Sequence, residues 1–121
     1  MSKKILIVED SKPYLWLMSQ EFEKAGFEVI TAEDGEQGLK AVQEEKPNLV
    51  LLDISMPKMD GITMARKAKE LNINVPIIFL TNLSDVKYIS EATEMATEYI
   101  VKSDVNIDEI VRRVKQKLKI E

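Results

Sequence analysis

The chain has 121 residues, of which 45% are hydrophobic, a length and composition that suit one buried core. Its 17 Lys and Arg residues and 21 Asp and Glu residues give a net charge of -4, which argues against direct binding to nucleic acid. Cys is absent, which excludes disulfides and thiolate metal sites, and His is absent, so a bound metal must take oxygen ligands.

The first four residues, Met1 to Lys4, lead directly into a short apolar run without the longer apolar segment of a secretion signal. No apolar stretch reaches the length that a membrane-spanning helix needs. We therefore expect a single domain over residues 1–121 that lies in the cytoplasm and has no membrane partner.

Five short apolar runs alternate with amphipathic segments, which is the pattern of repeated strand and helix units. The predicted strands lie near residues 4–8, 28–32, 49–52, 76–80 and 98–101. A helix follows each strand, so five helices are expected. Runs as apolar as these are typical of a parallel sheet that is covered on both faces. The predicted fold class is therefore α/β.

The first predicted helix has Pro13 in its first turn, Ser11 as a candidate N-cap and Gly26 at its end. Projected at about 100° per residue, its apolar side chains share one face. That face consists of Tyr14, Leu15, Met18, Phe22 and Ala25. Trp16 falls on the polar face instead. An aromatic ring there either folds over a neighbouring loop or stays exposed as a contact for a partner.

Helix-start signals also precede the other helices. The second and third begin after the Asp-Gly pairs at 34–35 and 60–61, and Ser84 can cap the fourth. The last helix has the clearest signal, since Asn106 with Glu109 three residues later is close to a capping box. An apolar face follows, made of Ile107, Ile110, Val111, Val114 and Leu118.

Two glycines lie at the second and third helices. Gly38 is inside the second helix and should weaken it by about 1 kcal/mol relative to Ala. Gly61 is expected to permit a tight turn into the third helix.

Polar side chains follow four of the predicted strands. They are Glu9 and Asp10 after the first strand, Asp53 after the third, Thr81 after the fourth and Lys102 after the fifth. Because the carboxyl ends of parallel strands open into one crevice, we expect these side chains to meet there. Such a set can hold a hard cation, for which Mg²⁺ is the natural candidate, together with a phosphoryl group. We expect the Asp53 carboxylate to be exposed enough to attack phosphorus.

Taken singly, these residues also have simpler interpretations. Asp53 would be an ordinary turn residue, and Glu9 and Asp10 would be favourable charges at a helix N-terminus. Lys102 would be a solvated surface lysine, and Thr81 would start a turn. The functional interpretation gains its strength from their occurrence together.

Four segments, in order and at these separations, resemble the receiver domains of two-component response regulators. They are Ile5 to Asp10, Asp53 to Gly61, Ile77 to Thr81 and Tyr99 to Lys102. The resemblance runs from Lys4 to about Leu118 and is to the group that contains the chemotaxis regulator and the single-domain phosphorelay proteins. It implies a flavodoxin-like doubly wound sheet of five parallel strands in the order 2-1-3-4-5.

The resemblance also implies roles for the site residues. Asp53 matches the phosphoacceptor of the family, which takes a phosphoryl group from a partner phosphohistidine. Glu9 and Asp10 match the residues that hold Mg²⁺ directly or through water, and the carbonyl of Ser55 completes the metal shell. Lys102 matches the charge partner of the phosphoryl oxygens.

Thr81 and Tyr99 match the switch residues of the family. The Thr81 hydroxyl would bind a phosphoryl oxygen, and Tyr99 would then turn inward and reshape a protein-binding surface. The implied partners are a sensor histidine kinase or histidine phosphotransfer protein, which relatives dock beside the first helix, and a downstream protein target. The chain would be a signalling switch that assists its own phosphorylation and dephosphorylation, not an enzyme in the ordinary sense.

Three residues depart from the family pattern. Ser103 follows Lys102 where Pro is usual, and we expect a trans peptide bond there because a cis bond to Ser would cost about 3–4 kcal/mol. Met95 stands where Gly commonly ends the fourth helix, and Asn82 replaces a small residue. These departures keep open a second hypothesis, a receiver-like binding module that works without phosphorylation.

A third hypothesis is a phosphohydrolase of the haloacid dehalogenase type, which also uses Asp, Thr, Lys and Mg²⁺. That class needs a second Asp two positions after the nucleophile, and Ser55 occupies this position.

Overall fold

A computed structural model of the chain describes residues 2–82 and 98–120. It contains one sheet of five parallel strands in the order β2-β1-β3-β4-β5. The strands are β1 Lys4–Val8, β2 Glu28–Ala32, β3 Leu49–Asp53, β4 Ile77–Thr81 and β5 Glu98–Val101. The predicted fold class and strand order are confirmed. The predicted bounds of β3 and β4 are each off by one residue, because Asp53 and Thr81 pair within the sheet.

Four helices lie within the described part of the chain. They are α1 Lys12–Lys24, α2 Gly35–Glu45, α3 Gly61–Glu70 and α4 Ile107–Lys117, with a short 3₁₀ turn at Lys102–Asp104 between β5 and α4. The predicted fourth helix, with Ser84 and Met95, falls outside the described residues, so α4 is the last of the five predicted helices. No helix among the described residues combines the length and the apolar character needed to span a bilayer.

The sheet is buried on both faces, as its apolar strands predict. One face packs against α1 and α4 through Ile5, Ile7, Leu49, Leu51, Ile78, Leu80 and Ile100. The other face packs against α2 and α3 through Leu6, Val8, Val50, Leu52, Ile77 and Phe79. Burying one such side chain stabilises the fold by about 1.5–3 kcal/mol. This core holds the carboxyl ends of the strands, and the side chains they carry, in a fixed register.

Three of the four helix starts are capped by side chains, of which the cap at Asn106 was predicted. The second and third helices begin at the glycine of each Asp-Gly pair and not after it. Asp34, Asp60 and Asn106 each accept a hydrogen bond from the backbone N–H three residues later. At α1 Ser11 occupies the N-cap position, as expected, but its hydroxyl makes no cap hydrogen bond. The backbone N–H of Ser11 instead donates to Glu9 Oε2 at 3.1 Å. The turn into α1 therefore helps to orient a site residue.

Gly38 and Gly61 lie where a side chain would overlap neighbouring atoms. A β-carbon at Gly61 would lie 2.2 Å from the carbonyl oxygen of Asp53, so the expected tight turn into α3 needs glycine for its missing side chain and not for a positive φ. A β-carbon at Gly38 would lie 2.7 Å from Met64 Sδ and 3.0 Å from a methyl of Val8. Gly38 thus lets α2 approach α3 and β1.

The apolar face predicted for α1 is confirmed, since Leu15, Met18 and Phe22 are buried in the core. Trp16 does not fold over a neighbouring loop. It is 62% exposed, and the adjacent Leu17 is also exposed. The polar side of α1 therefore presents a large apolar surface to solvent.

Candidate functional site

Three carboxylates meet at the carboxyl edge of the sheet. Asp53 is the last residue of β3, while Glu9 and Asp10 directly follow β1, its neighbour in the sheet. One carboxylate oxygen from each residue lies within 4.8 Å of the other two. The prediction that strand ends would bring these three side chains together is therefore confirmed.

Lys102 brings a positive charge into the same cluster. Its Nζ lies 2.5 Å from Glu9 Oε1 and 3.4 Å from Asp53 Oδ2. The 3₁₀ turn that begins at Lys102 directs the side chain from β5 across β4 to β3 and β1. No cis peptide bond occurs in the described ranges, so the bond from Lys102 to Ser103 is trans, as expected. The missing proline therefore does not prevent Lys102 from reaching the site.

The Asp53 carboxylate is more deeply buried than the sequence suggested. The residue is only 2% exposed, whereas we expected a carboxylate accessible enough to attack phosphorus. Glu9 and Lys102 lie beside it. Asp53 Oδ1 is buried and has no hydrogen-bond partner among the described residues. A buried acceptor without a donor is costly, and a bound cation or donor would relieve that cost.

Burial and nearby charges give the three carboxylates different pKa values. Burial, together with the nearby charge of Glu9, raises the pKa of Asp53 to about 8, although Lys102 opposes the shift. Burial would also raise the pKa of Glu9, but hydrogen bonds from Lys102 and from the N–H of Ser11 hold it below its ordinary value. Burial and Glu9 raise the pKa of Asp10. The single positive charge of Lys102 is therefore too small to balance the three carboxylates.

Tyr14 is a site residue that the sequence reasoning missed. It was assigned only to the apolar face of α1, but Lys102 Nζ lies 5.0 Å from the centre of its ring. A cation over an aromatic face is attracted to the ring electrons. The available signal was its position in the sequence: Tyr14 is the third residue of α1, which follows the end of β1 at the carboxyl edge of the sheet.

The two predicted switch residues lie on one face of neighbouring strands. Phe79 pairs with Tyr99 and Thr81 pairs with Val101, and alternate residues of a strand share a face. Thr81 is fully buried, and its hydroxyl donates to the carbonyl of Asn82 at 3.0 Å. Tyr99 is 38% exposed. In this conformation the hydroxyl is engaged locally and the tyrosine ring faces outward.

A cleft of about 630 Å³ opens above the carboxylates, and Ser55 and Asn82 lie at its wall with Lys102. It exceeds the volume of a phosphoryl group. The three carboxylates that line it offer oxygen ligands, which suit a hard cation such as Mg²⁺. The orphaned Oδ1 of Asp53 and the excess of negative charge both fit such an ion.

Comparison with known proteins agrees with this geometry. Residues 5–115 match the family described as the response regulator receiver domain. The chain is 36% identical over 118 residues to sporulation initiation phosphotransferase F of Bacillus subtilis, covering 98% of this chain and 95% of that protein. It is 42% identical over 81 residues to the alkaline phosphatase synthesis transcriptional regulatory protein PhoP of the same organism, covering 67% of this chain. The match covers only 34% of that longer relative.

Solved structures show the same fold. The CheY-like response regulator receiver domain protein of Methanospirillum hungatei has a TM-score of 0.90 and 32% identity, covering 98% of this chain and 95% of that one. The response regulator TrrA of Thermotoga maritima, solved in complex with Mg²⁺-BeF, has a TM-score of 0.83 and 36% identity, covering 94% and 97% of the two chains. The chain therefore belongs to the response regulator receiver domain family of two-component signalling systems.

Proposed function

We propose that residues 1–121 act as a receiver domain that accepts a phosphoryl group on Asp53 in a Mg²⁺-dependent manner. The observation that carries this proposal is the state of Asp53. Its Oδ1 is buried without a hydrogen-bond partner in the described ranges, and its Oδ2 lies 3.4 Å from Lys102. A purely structural ion pair would use both carboxylate oxygens of Asp53. An oxygen left without a hydrogen-bond donor, in a cluster with one ammonium and two more carboxylates, is instead typical of a nucleophile.

In the proposed step, an oxygen of the Asp53 carboxylate attacks phosphorus in a partner phosphohistidine. The O–P bond forms, the P–N bond breaks, and the imidazole leaves with the electron pair of that bond. Lys102 Nζ can donate to a phosphoryl oxygen, because it already lies between Glu9 and Asp53. Phosphoryl transfer depends mainly on positioning and on charge stabilisation, which these residues supply.

Glu9, Asp10, Asp53 and the carbonyl of Ser55 are the groups proposed to hold Mg²⁺. When bound, the ion would neutralise the carboxylates and stabilise negative charge on the phosphoryl oxygens. Burial and the charge of Glu9 raise the pKa of Asp53, which favours its protonated form, and a protonated carboxyl group is a poor nucleophile. A cation would favour the ionised form. The presence of Mg²⁺ in the complex of the Thermotoga maritima relative supports this assignment.

The proposed switch couples Thr81 to Tyr99. A phosphoryl group on Asp53 would offer the Thr81 hydroxyl a charged acceptor in place of the Asn82 carbonyl. Movement of Thr81 would then vacate space on the sheet face that it shares with Tyr99, whose ring is now exposed. A tyrosine that turns inward changes the surface available to a downstream protein target.

The proposed phosphodonor is a sensor histidine kinase or a histidine phosphotransfer protein. Residues 1–121 contain no His, so a phosphohistidine must lie outside them. The exposed Trp16 and Leu17 on α1 are proposed contacts for that partner, since exposed aromatic rings are common at interface hot spots. The names of the similar proteins, a phosphotransferase and transcriptional regulators, agree with a place in a phosphorelay.

The phosphohydrolase alternative loses support, because the match to the receiver family extends over residues 5–115. Receiver domains are signalling switches and not classical enzymes. The binding module that works without phosphorylation remains the rival hypothesis, and it predicts that Asp53 never becomes modified.

The test is to incubate the protein with acetyl phosphate and Mg²⁺ and to record its intact mass. We expect a mass increase of one phosphoryl group that is lost at alkaline pH, and none when Mg²⁺ is chelated. Borohydride reduction followed by peptide mapping should place the label at Asp53. Asp108→Asn, on the exposed start of α4, is the matched control and should still be labelled. Absence of labelling in the unaltered protein would favour the binding module.

Mg²⁺ should raise the melting temperature of the protein. Only the folded state gathers three carboxylates around one position, so the ion binds that state preferentially. At a concentration ten times the dissociation constant the stabilisation is about 1.4 kcal/mol, which corresponds to a few degrees. Melting followed by circular dichroism, with NaCl at matched ionic strength as control, measures it. Equal shifts with both salts would count against a specific site.

Thr81→Ala should preserve phosphorylation but uncouple Tyr99. The hydroxyl that is proposed to sense the phosphoryl oxygen is lost, whereas the carboxylate cluster and Lys102 are untouched. The measurement is the NMR signal of the Tyr99 ring before and after addition of Mg²⁺ and beryllofluoride, a phosphoryl mimic. Thr81→Ser keeps the hydroxyl and should respond like the unaltered protein. A full response in Thr81→Ala would refute this switch.

A further inference from the structure

The loop after β3 contains a strained turn close to the carboxylates. The N–H of Met59 donates to the carbonyl of Pro57 at 2.7 Å, and Lys58 between them has a φ of 65°. A three-residue turn with positive φ at its centre is rare and strained when that residue has a side chain. Such a conformation persists only where neighbouring groups hold it.

The turn between β2 and α2 supplies those neighbouring groups. Asp34 is only 5% exposed, and its Oδ1 accepts a hydrogen bond from the N–H of Gln37 at 2.9 Å. Its Oδ2 lies 3.7 Å from Lys58 Nζ. The backbones also touch, because a β-carbon at Gly35 would lie 2.2 Å from the carbonyl oxygen of Met59. The tip of the loop is therefore tied to α2.

The base of the loop is closed separately. The N–H of Gly61 donates to the carbonyl of Ile54 at 2.8 Å, so the segment 55–60 leaves β3 and returns to it at one point. Ser55 is the first residue of that segment. Its carbonyl is positioned by the strand on one side and by the fixed tip of the loop on the other.

We infer that Asp34 is a positioning residue for the cation site, acting through Lys58 to fix the loop that carries the Ser55 carbonyl. The inference rests on the proposed Mg²⁺ site, of which Asp34 is not a member. Its carboxylate caps α2 and reaches the loop only through the Lys58 side chain. Groups that orient metal ligands commonly affect metal affinity about 10–100-fold.

Lys58→Gln distinguishes this positioning role from a simple electrostatic effect, because the two predict opposite changes in Mg²⁺ affinity. Removing a positive charge near an acidic cluster should by itself strengthen Mg²⁺ binding. Loss of the contact to Asp34 should weaken it, and we expect about tenfold lower affinity. Gln is also unbranched, although one atom shorter than Lys, and it has a similar cost of positive φ, so the backbone preference is nearly unchanged.

Mg²⁺ affinity is read from the melting temperature over a series of Mg²⁺ concentrations. Lys58 is largely exposed, and exposed ion pairs add little to stability, so Lys58→Gln should melt within a few degrees of the unaltered protein without Mg²⁺. Asp34→Asn keeps a side-chain oxygen for the α2 cap and should weaken Mg²⁺ binding to a similar extent. Glu36→Gln removes an exposed charge beside Asp34 and should change affinity much less.

The double variant Asp34→Asn with Lys58→Gln should bind Mg²⁺ no more weakly than either single variant if both act through one contact. Equal or tighter Mg²⁺ binding by Lys58→Gln, with the unaltered protein binding normally, would overturn this inference alone. Absence of any Mg²⁺-dependent shift in the unaltered protein would overturn both the proposed cation site and the inference.

Discussion

Asp53→Asn is expected to raise the melting temperature at pH 7 in the absence of Mg²⁺ and to abolish phosphoryl acceptance. The change removes one of three clustered carboxylates and the proposed nucleophile. An amide at position 53 can still accept from Lys102 and can donate to Glu9, so the packing is preserved. We expect a gain of about 2–3 kcal/mol in the free energy of unfolding, or roughly 6–15 °C.

The pH dependence of that gain has a definite sign. The folded-state pKa of Asp53 is raised to about 8 from an ordinary value of 3.8, mainly by burial and by the charge of Glu9. Below pH 4 the carboxyl group is protonated in both states, and the variant gains nothing. As the pH rises toward 8, the unfolded state loses its proton first, so the unaltered protein becomes progressively less stable. The stability difference between Asp53→Asn and the unaltered protein should therefore grow from pH 4 to pH 8.

Mg²⁺ should reduce or reverse the difference, because it binds the carboxylate and not the amide. Asp108→Asn, which removes an exposed carboxylate at the start of α4, provides the control for a change in net charge. A loss of stability in Asp53→Asn at pH 7, or a pH-independent gain, would contradict the proposed electrostatics of the cluster.

Gly61→Ala should strongly destabilise the protein and displace the site. Its β-carbon would lie 2.2 Å from the carbonyl oxygen of Asp53 and 3.1 Å from the Cα of Ile54. Both are backbone atoms, so relief requires α3 to move away from the end of β3. We expect a loss of about 3 kcal/mol in the free energy of unfolding. Displacement of Asp53 should also remove the stabilisation by Mg²⁺.

Gly26→Ala is the matched control for this steric argument. Gly26 has a φ of 96°, but no atom lies within 4 Å of its added β-carbon. The cost there is conformational and should be about 1–2 kcal/mol, with the Mg²⁺ response intact. Chemical denaturation of both variants, with and without Mg²⁺, measures the difference. Equal losses in the two variants would show that the contact with Asp53 is relieved without displacement of α3.

The fold was largely predictable because its strands are buried on both faces. Each strand forms an apolar run that local sequence identifies, and the polar residues that follow the runs mark the shared edge. The errors in the predicted strand bounds also have a physical reason. The strand prediction stopped before Asp53 and Thr81 because polarity usually ends a buried strand, yet both backbones continue the sheet pairing.

The details of the site depend on how long side chains fold over one another, which local sequence does not specify. Lys102 reaches from the end of β5 to within 3.4 Å of Asp53, whose burial was not expected. The position of Tyr14 beneath Lys102 and the contact of Asp34 with Lys58 have the same origin. The identity of the clustered carboxylates followed from strand order, whereas their exposure and pKa values required the packed structure.

Trp16 has a practical consequence for spectroscopy of this protein. It is the only tryptophan in the chain, and 62% of it is exposed in the folded state. Its emission should therefore resemble that of a solvated indole both before and after unfolding, which makes intrinsic fluorescence a poor signal for denaturation. The same exposure makes it a sensitive optical probe of α1. A protein that covers this helix should shift the emission to shorter wavelength, whereas events confined to the carboxylate cluster should leave it nearly unchanged.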